Sequence, residues 1–219
     1  KERIRSFHER PNKIVRVHTC STDDLEFWIN KYKQHRKLLF ELRDKYGISI
    51  PDINYMVGDY KKAQNPALFI ITDRINGVDL DNIERNEARK SIQKIDDFYT
   101  CLIKYYQDKY NGGTFLLDLS NSQFVLGRRT NDTKDQIYLV DLDPSFEYQI
   151  KESEDNNYLF SEFGIMGSLD YTLSTIKQKL GDIDLPRATA QFITFLGMII
   201  GKNSGSSYAE FLLKKNSML

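Results

Sequence analysis

The chain has 219 residues, 40% of them hydrophobic and 12% aromatic, which is enough apolar material for one large domain or two small units sharing a core. Lysine plus arginine (31) balances aspartate plus glutamate (31), so charge gives no reason to expect nucleic acid or an anionic membrane surface as the main partner.

In chain order, Lys13-Ile14-Val15-Arg16-Val17 alternates and is β-branched, which predicts a strand. Ser21 and Thr22 then offer caps for a helix from about Asp23 to Tyr46. Its stripe is Leu25, Trp28, Ile29, Tyr32, Leu38, Leu39 and Leu42, and Gly47 closes it. Ile50 to Val57 reads as extended, Asp59 to Pro66 as a turn, and Ala67 to Asp73 as a buried strand ended by Asn76-Gly77. Asn82 to Tyr110 has a helical period, with Ile83, Ile92, Ile95, Phe98, Leu102 and Tyr105 on one side and Asn111-Gly112-Gly113 as its stop. Two short strands follow, Phe124 to Leu126 and Gln136 to Val140, joined by a polar loop. From Tyr158 the pattern is helical again, including Thr189 to Ile200 and Ser207 to Lys215. This order predicts an α+β fold with a small N-terminal α/β unit (1–75) and a mostly helical unit (76–219) holding a hairpin. A parallel doubly wound sheet would alternate throughout.

A phosphoryl-transfer site needs one carboxylate to orient an attacking hydroxyl and a second on the metal that bridges the phosphates. Loops flanking a hairpin suit that task, because a rigid scaffold aims them at one point. Asp118 precedes the first hairpin strand, Gln123 lies five residues further on, and Asp141 ends the returning strand. A hairpin from Phe124 to Val140 brings both ends to one side.

The stretch from Phe115 to Leu126, with Leu117-Asp118-Leu119 and Gln123, resembles the catalytic loop of the protein-kinase-like superfamily. Val140-Asp141-Leu142-Asp143 is similar to that superfamily's metal-binding strand end, in the form found in aminoglycoside, choline and lipopolysaccharide kinases. Phe69 to Leu80 looks like their hinge strand, and Lys13 to Val17 takes the place of the lysine-bearing strand. The resemblance covers roughly residues 10–145 in the correct order. It implies a two-lobed kinase-like fold with a reduced N-terminal lobe and a mostly helical C-terminal lobe. It further implies ATP and Mg²⁺ as cofactors, Asp118 as the catalytic base or orienting group, and Asp141 with Gln123 as metal ligands. Arg16 would touch phosphate, and the backbone around Asp73, Arg74 and Ile75 would meet the adenine.

The departures point to a rival. Leu116 stands where the catalytic-loop histidine would be, Gln123 replaces the asparagine, and Arg16 replaces the lysine, with a planar fork unlike an ammonium. No helix glutamate is evident between Glu26 and Glu41, and the residues given before Arg16 contain no glycine, so either a glycine-rich loop lies upstream of Lys1 or the phosphates are poorly covered. A pseudokinase, acting as a scaffold or regulatory binding partner, therefore stands beside the transferase reading, with an unrelated α+β interaction domain as a third. Asp118 and Asp141 each also fit ordinary turn or strand-end aspartates, Arg16 fits a solvated strand residue, and Asp143 fits a turn cap.

Other chemistries find less support. His8, His18 and His35 are scattered, without zinc-ligand spacing, and no Gly-x-Ser-x-Gly elbow occurs. Gly201-Lys202-Asn203-Ser204-Gly205 lacks a P-loop's upstream glycine and reads as a turn between helices. Cys20 and Cys101 form neither a CxxC pair nor a disulfide framework, so a reducing, cytoplasmic setting is expected. No apolar run of 18 residues is present. The opening Lys1-Glu2-Arg3-Ile4-Arg5 is not a signal peptide. It carries no initiator methionine, as expected of a piece of a longer sequence. The expected partners are a nucleotide and either a hydroxyl-bearing substrate or another protein, with no nucleic acid.

Overall fold

A computed structural model describes residues 3–7, 10–60, 66–110, 112–116, 120–142, 144, 147–150, 164–181, 183–202 and 207–217. Asp118, Asp143, most of the turn at 59–66, and Asn203 to Gly205 lie outside the described residues.

Strands β1 (Arg3–Phe7), β2 (Arg10–Thr19), β3 (Ile53–Asp59) and β4 (Pro66–Asp73) form an antiparallel sheet in the order β1-β2-β4-β3. Side chains alternate across a strand, and directly paired residues share a face. Arg16 on β2 therefore shares a face with its partner Ile70, and with Tyr55, which pairs Ile70 from β3. Val15 and Val17 point the other way, into a small cluster with Ala67.

Helix α1 (Thr22–Tyr46) begins one residue before the expected start at Asp23, with Ser21 rather than Thr22 as its cap. Ser21 accepts the Asp24 amide at 3.1 Å, and Asp23 and Asp24 occupy the positive end of the helix dipole. It ends on Gly47, whose φ of 74° is free of strain only for glycine; its amide caps the last turn. The helix lies on the Arg16 side of the sheet, with Tyr32 5.5 Å from Tyr55 and Trp28 4.3 Å from His18.

The rest of the chain is β5 (Asn76–Asp79), α2 (Arg85–Lys90), α3 (Ile92–Lys109), β6 (Gly113–Leu116), β7 (Phe124–Arg128), β8 (Gln136–Leu139), β9 (Glu147–Ile150), α4 (Ile165–Leu180), α5 (Pro186–Lys202) and α6 (Ser207–Ser217). Strands β5-β7-β8 form a second antiparallel sheet, and β6-β9 a two-stranded one. The predicted hairpin is thus two strands of a three-stranded sheet. Asn76-Gly77 opens β5 rather than merely ending β4. Gly77 pairs with Gly127, and a Cβ on either would collide with the other strand's backbone; a glycine that reads locally as a breaker permits this close approach. The single helix predicted over 82–110 begins later and divides at Ser91. Asn82 is held in a turn by the Asp79 carboxylate (2.9 Å to its amide), which postpones the helix start to Arg85.

Helix α3 buries Ile95, Phe98, Tyr99, Leu102, Ile103, Tyr105 and Tyr106, the three-four spacing of a core-facing stripe. It packs on α5, which brings Phe192, Phe195 and Ile199 into the same core. Buried Asp96 of α3 caps α5, accepting the amides of Arg187 (3.2 Å) and Ala188 (2.8 Å) in its first turn. The core is continuous from α1 through α3. Tyr46 packs edge-on against Tyr105 at 5.2 Å and donates its hydroxyl to Asp108 at 2.8 Å, and Lys109 pairs with Glu41 at 2.8 Å. The Ser49 carbonyl accepts the Leu139 amide at 3.0 Å, which ties the link after α1 directly to β8.

Candidate functional site

The hairpin β7-β8 is positioned from below by a buried polar anchor. Residues Asn121–Gln123 form a single 3-10 turn, and Asn121 is buried. Its side-chain oxygen accepts the Tyr99 hydroxyl and its amide donates to the Thr172 carbonyl at 3.3 Å, so α3 and α4 together fix the turn. Burial pushes the Tyr99 hydroxyl well above the usual tyrosine range, so it stays protonated and able to donate. Phe124 begins β7 with its ring 4.8 Å from Phe98.

Above that anchor the strands close. Phe124 pairs with Leu139, and the Gln123 carbonyl accepts the Val140 amide at 2.9 Å. Gln123 and the Val140-Asp141 backbone are therefore neighbours, as the hairpin reading requires. Arg16 reaches the same point from the centre of the four-stranded sheet. One guanidinium nitrogen lies 3.3 Å from an Asp141 carboxylate oxygen, and another donates to the Val140 carbonyl at 3.1 Å. The pair is largely withdrawn from solvent, with side chains 18% and 22% exposed. The structure thus brings together Arg16 and Asp141, with the Gln123 backbone beside them. Arg16 finds its carboxylate on the strand end rather than on a helix: Glu41 of α1 is committed to Lys109.

At the predicted hinge, the Asp73 amide donates to the Asp52 carbonyl at 3.2 Å and the Arg74 amide to the Asn12 carbonyl at 2.8 Å. A base meeting the backbone at 73–75 would have to use other groups. The Asp73 carboxylate pairs with Lys13 and lies 3.9 Å from Arg129. Arg129 also lies 3.6 Å from Asp52 and 2.9 Å from Asp132, which accepts the Tyr138 hydroxyl at 2.8 Å. This network links the end of β4 to the turn after β7 and to β8, the strand that leads to Asp141. The guanidinium and the tyrosine hydroxyl hold the Asp132 carboxyl below the usual carboxylate range. Burial and the bond to Asp132 push Tyr138 up to about 12. Sequence reading missed Arg129. Its spacing of three from Asp132 is the one local sign, and its contacts with Asp52 and Asp73 are visible only in the fold.

Among the described residues, no group of three or more histidine, cysteine, aspartate or glutamate side chains is arranged to hold a metal. A magnesium ion carried by a nucleotide makes a smaller demand, since one or two protein oxygens join phosphate oxygens and waters. The carboxylate of Asp141 and the amide of Gln123 suit that donor chemistry. Asp141 is already neutralised by Arg16, however, so a metal there has to contend with a resident cation.

No protein-family model matches the chain, and no curated protein matches it in sequence. Among solved structures it is similar to WaaP in complex with acyl carrier protein, at 15% identity over 98% of this chain and 85% of that chain, TM-score 0.49. It is also similar to a crystal structure of WbdD, at 13% identity over 95% of this chain and 47% of that chain, TM-score 0.39. None of the helices among the described residues is long and apolar enough to cross a membrane.

Proposed function

We propose that the chain is a divergent kinase-like phosphotransferase that moves the γ-phosphoryl of ATP to a hydroxyl of a small molecule, a sugar or a protein. The observation that supports the reading is the contact of Arg16 on β2 with Asp141 and the Val140 carbonyl at the end of the β7-β8 hairpin, next to the Gln123 backbone. A carboxylate at one end of the hairpin, the second carboxylate expected of Asp118 from the sequence, and a cation from a facing sheet would supply what phosphoryl transfer asks of a protein: positioning and charge compensation, with little covalent chemistry.

Each residue has a role in this reading. Asp118 orients the acceptor hydroxyl and takes its proton as oxygen bonds to the γ-phosphorus and the bond to the β-phosphate oxygen breaks. Asp141, with Gln123 as a second candidate ligand, would hold Mg²⁺, and Arg16 would donate to phosphate oxygens. The segment Asp73 to Ile75 lies along the base. Mg²⁺, when bound, neutralises charge building on the phosphates. In this reading residues 1–75 and 76–219 would be the two lobes.

One observation favours a second reading. Asp141 already faces a guanidinium, as a pseudokinase scaffold with no metal would require. Thermal melting with ATP and Mg²⁺ separates the two, because a ligand at a hundredfold excess over its Kd stabilises the fold by about 2.7 kcal/mol. The phosphotransferase reading expects a clear rise in Tm. No rise at millimolar nucleotide leaves the scaffold.

A further inference from the structure

Arg16 and Asp141 are the two groups that the proposed function assigns to opposite partners, phosphate and metal, yet here they engage each other. The guanidinium is held at two points, the Asp141 carboxylate (3.3 Å) and the Val140 carbonyl (3.1 Å), and both side chains are mostly buried. Any ligand for one of them must first take it from the other.

Consider each ligand alone. A magnesium ion on Asp141 would displace Arg16 and leave a guanidinium beside a divalent cation in a poorly solvated site. A nucleotide without metal would draw Arg16 away and leave the Asp141 carboxylate beside its phosphates. Either state sets like charges against one another where solvent screens them weakly. With both ligands present the charges alternate: carboxylate to metal, metal to phosphate, phosphate to guanidinium.

Resting on the proposed function, we propose that the Arg16–Asp141 ion pair is a lock on separate uptake, so that metal and nucleotide enter by exchange of partners and each is excluded without the other. Arg16 is then specificity-determining as well as phosphate-binding, since it sets the site against free Mg²⁺ and metal-free ATP. Because coupling is reciprocal, removing either member of the pair must improve binding of the other member's ligand.

Two variants test this, each with a ligand that involves no turnover. Arg16→Met should bind MgCl₂ alone more tightly than the wild type, on the order of fivefold or more. Asp141→Asn should bind ATP in excess EDTA more tightly than the wild type, on the same scale, although it has lost a residue of the proposed site. Calorimetric titration reads both, circular dichroism checks the fold, and either variant, if folded, decides the matter. Failure of a folded variant to gain affinity for its ligand overturns the lock. If the wild type also fails to bind ATP with Mg²⁺ at millimolar concentration, the proposed function falls and takes the lock with it. If the wild type binds that pair and the variants gain nothing, the lock alone is wrong.

Discussion

Arg16 and Asp141, 125 residues apart in sequence, meet at 3.3 Å in the interior between the four-stranded sheet and the β7-β8 hairpin. The contact joins the first large element of the chain to the strand end that carries the candidate metal ligand. It has a mechanical side as well as a chemical one. The guanidinium also holds the Val140 carbonyl, whose amide is held by Gln123, so the pair closes a short circuit of hydrogen bonds around the hairpin base.

Replacing Arg16 with methionine keeps the apolar stem and removes the charge. The loss should be about 1–2 kcal/mol, between the values for exposed and fully buried pairs. Urea denaturation of the two proteins checks it; an unchanged midpoint would mean that the contact adds nothing to the fold.

Asp96 is a stability residue remote from the site. Its carboxylate accepts the Arg187 and Ala188 amides at the start of α5. Asp96→Ala orphans both and should cost about 2–3 kcal/mol, while Asp96→Asn, which keeps one acceptor oxygen, should recover part of that. The shift in Tm measures both.

Gly127 faces Gly77 across β5 and β7, where an added Cβ would meet the Asn76 carbonyl. Gly127→Ala should destabilise by about 2 kcal/mol or more, as forced overpacking does. Amide exchange in β5 and β7 should rise together, because the two strands separate as a pair.

Tyr138 gives a signed pH dependence. Its hydroxyl is pushed up to about 12 from the ordinary 10.0 by burial and by the bond to Asp132. Between those values the folded protein keeps a proton that the unfolded chain has lost, so stability falls as pH rises. The contribution is fully present below about pH 10 and is lost as pH climbs through about 12. Tyr138→Phe should flatten that decline in denaturation series across the window.

How far the sequence carries depends on how local each signal is. Helix α1 is legible to within a residue, because Ser21 and Gly47 act within a turn of their own helix. The hairpin is legible as two short strands around a polar loop, and Gln123 and Asp141 stand out through their resemblance to a kinase-like catalytic loop and metal-binding strand end. Strand β5 was hidden because Gly77 breaks structure locally and supports it only against Gly127. The pairing of β6 with β9 joins residues more than thirty apart in sequence, and nothing in either short segment announces the other. In the site, Arg16 stands out by its strand, while the α1 glutamate that the resemblance calls for as its partner is not the group it meets. The sheet alternation alone gave the face, and only the folded chain gave Asp141 as the group it meets. Arg129 lay in what read as a polar loop, because two of its three carboxylates come from distant elements.

The central claim is that Asp141 takes a magnesium ion carried by ATP. Its most direct test is the difference in ATP affinity with and without Mg²⁺, measured by calorimetry on the wild type and on Asp141→Asn. Mg²⁺ should strengthen ATP binding to the wild type by tenfold or more, about 1.4 kcal/mol, and this gain should disappear in Asp141→Asn. An equal gain in both proteins, or none in the wild type, would contradict it.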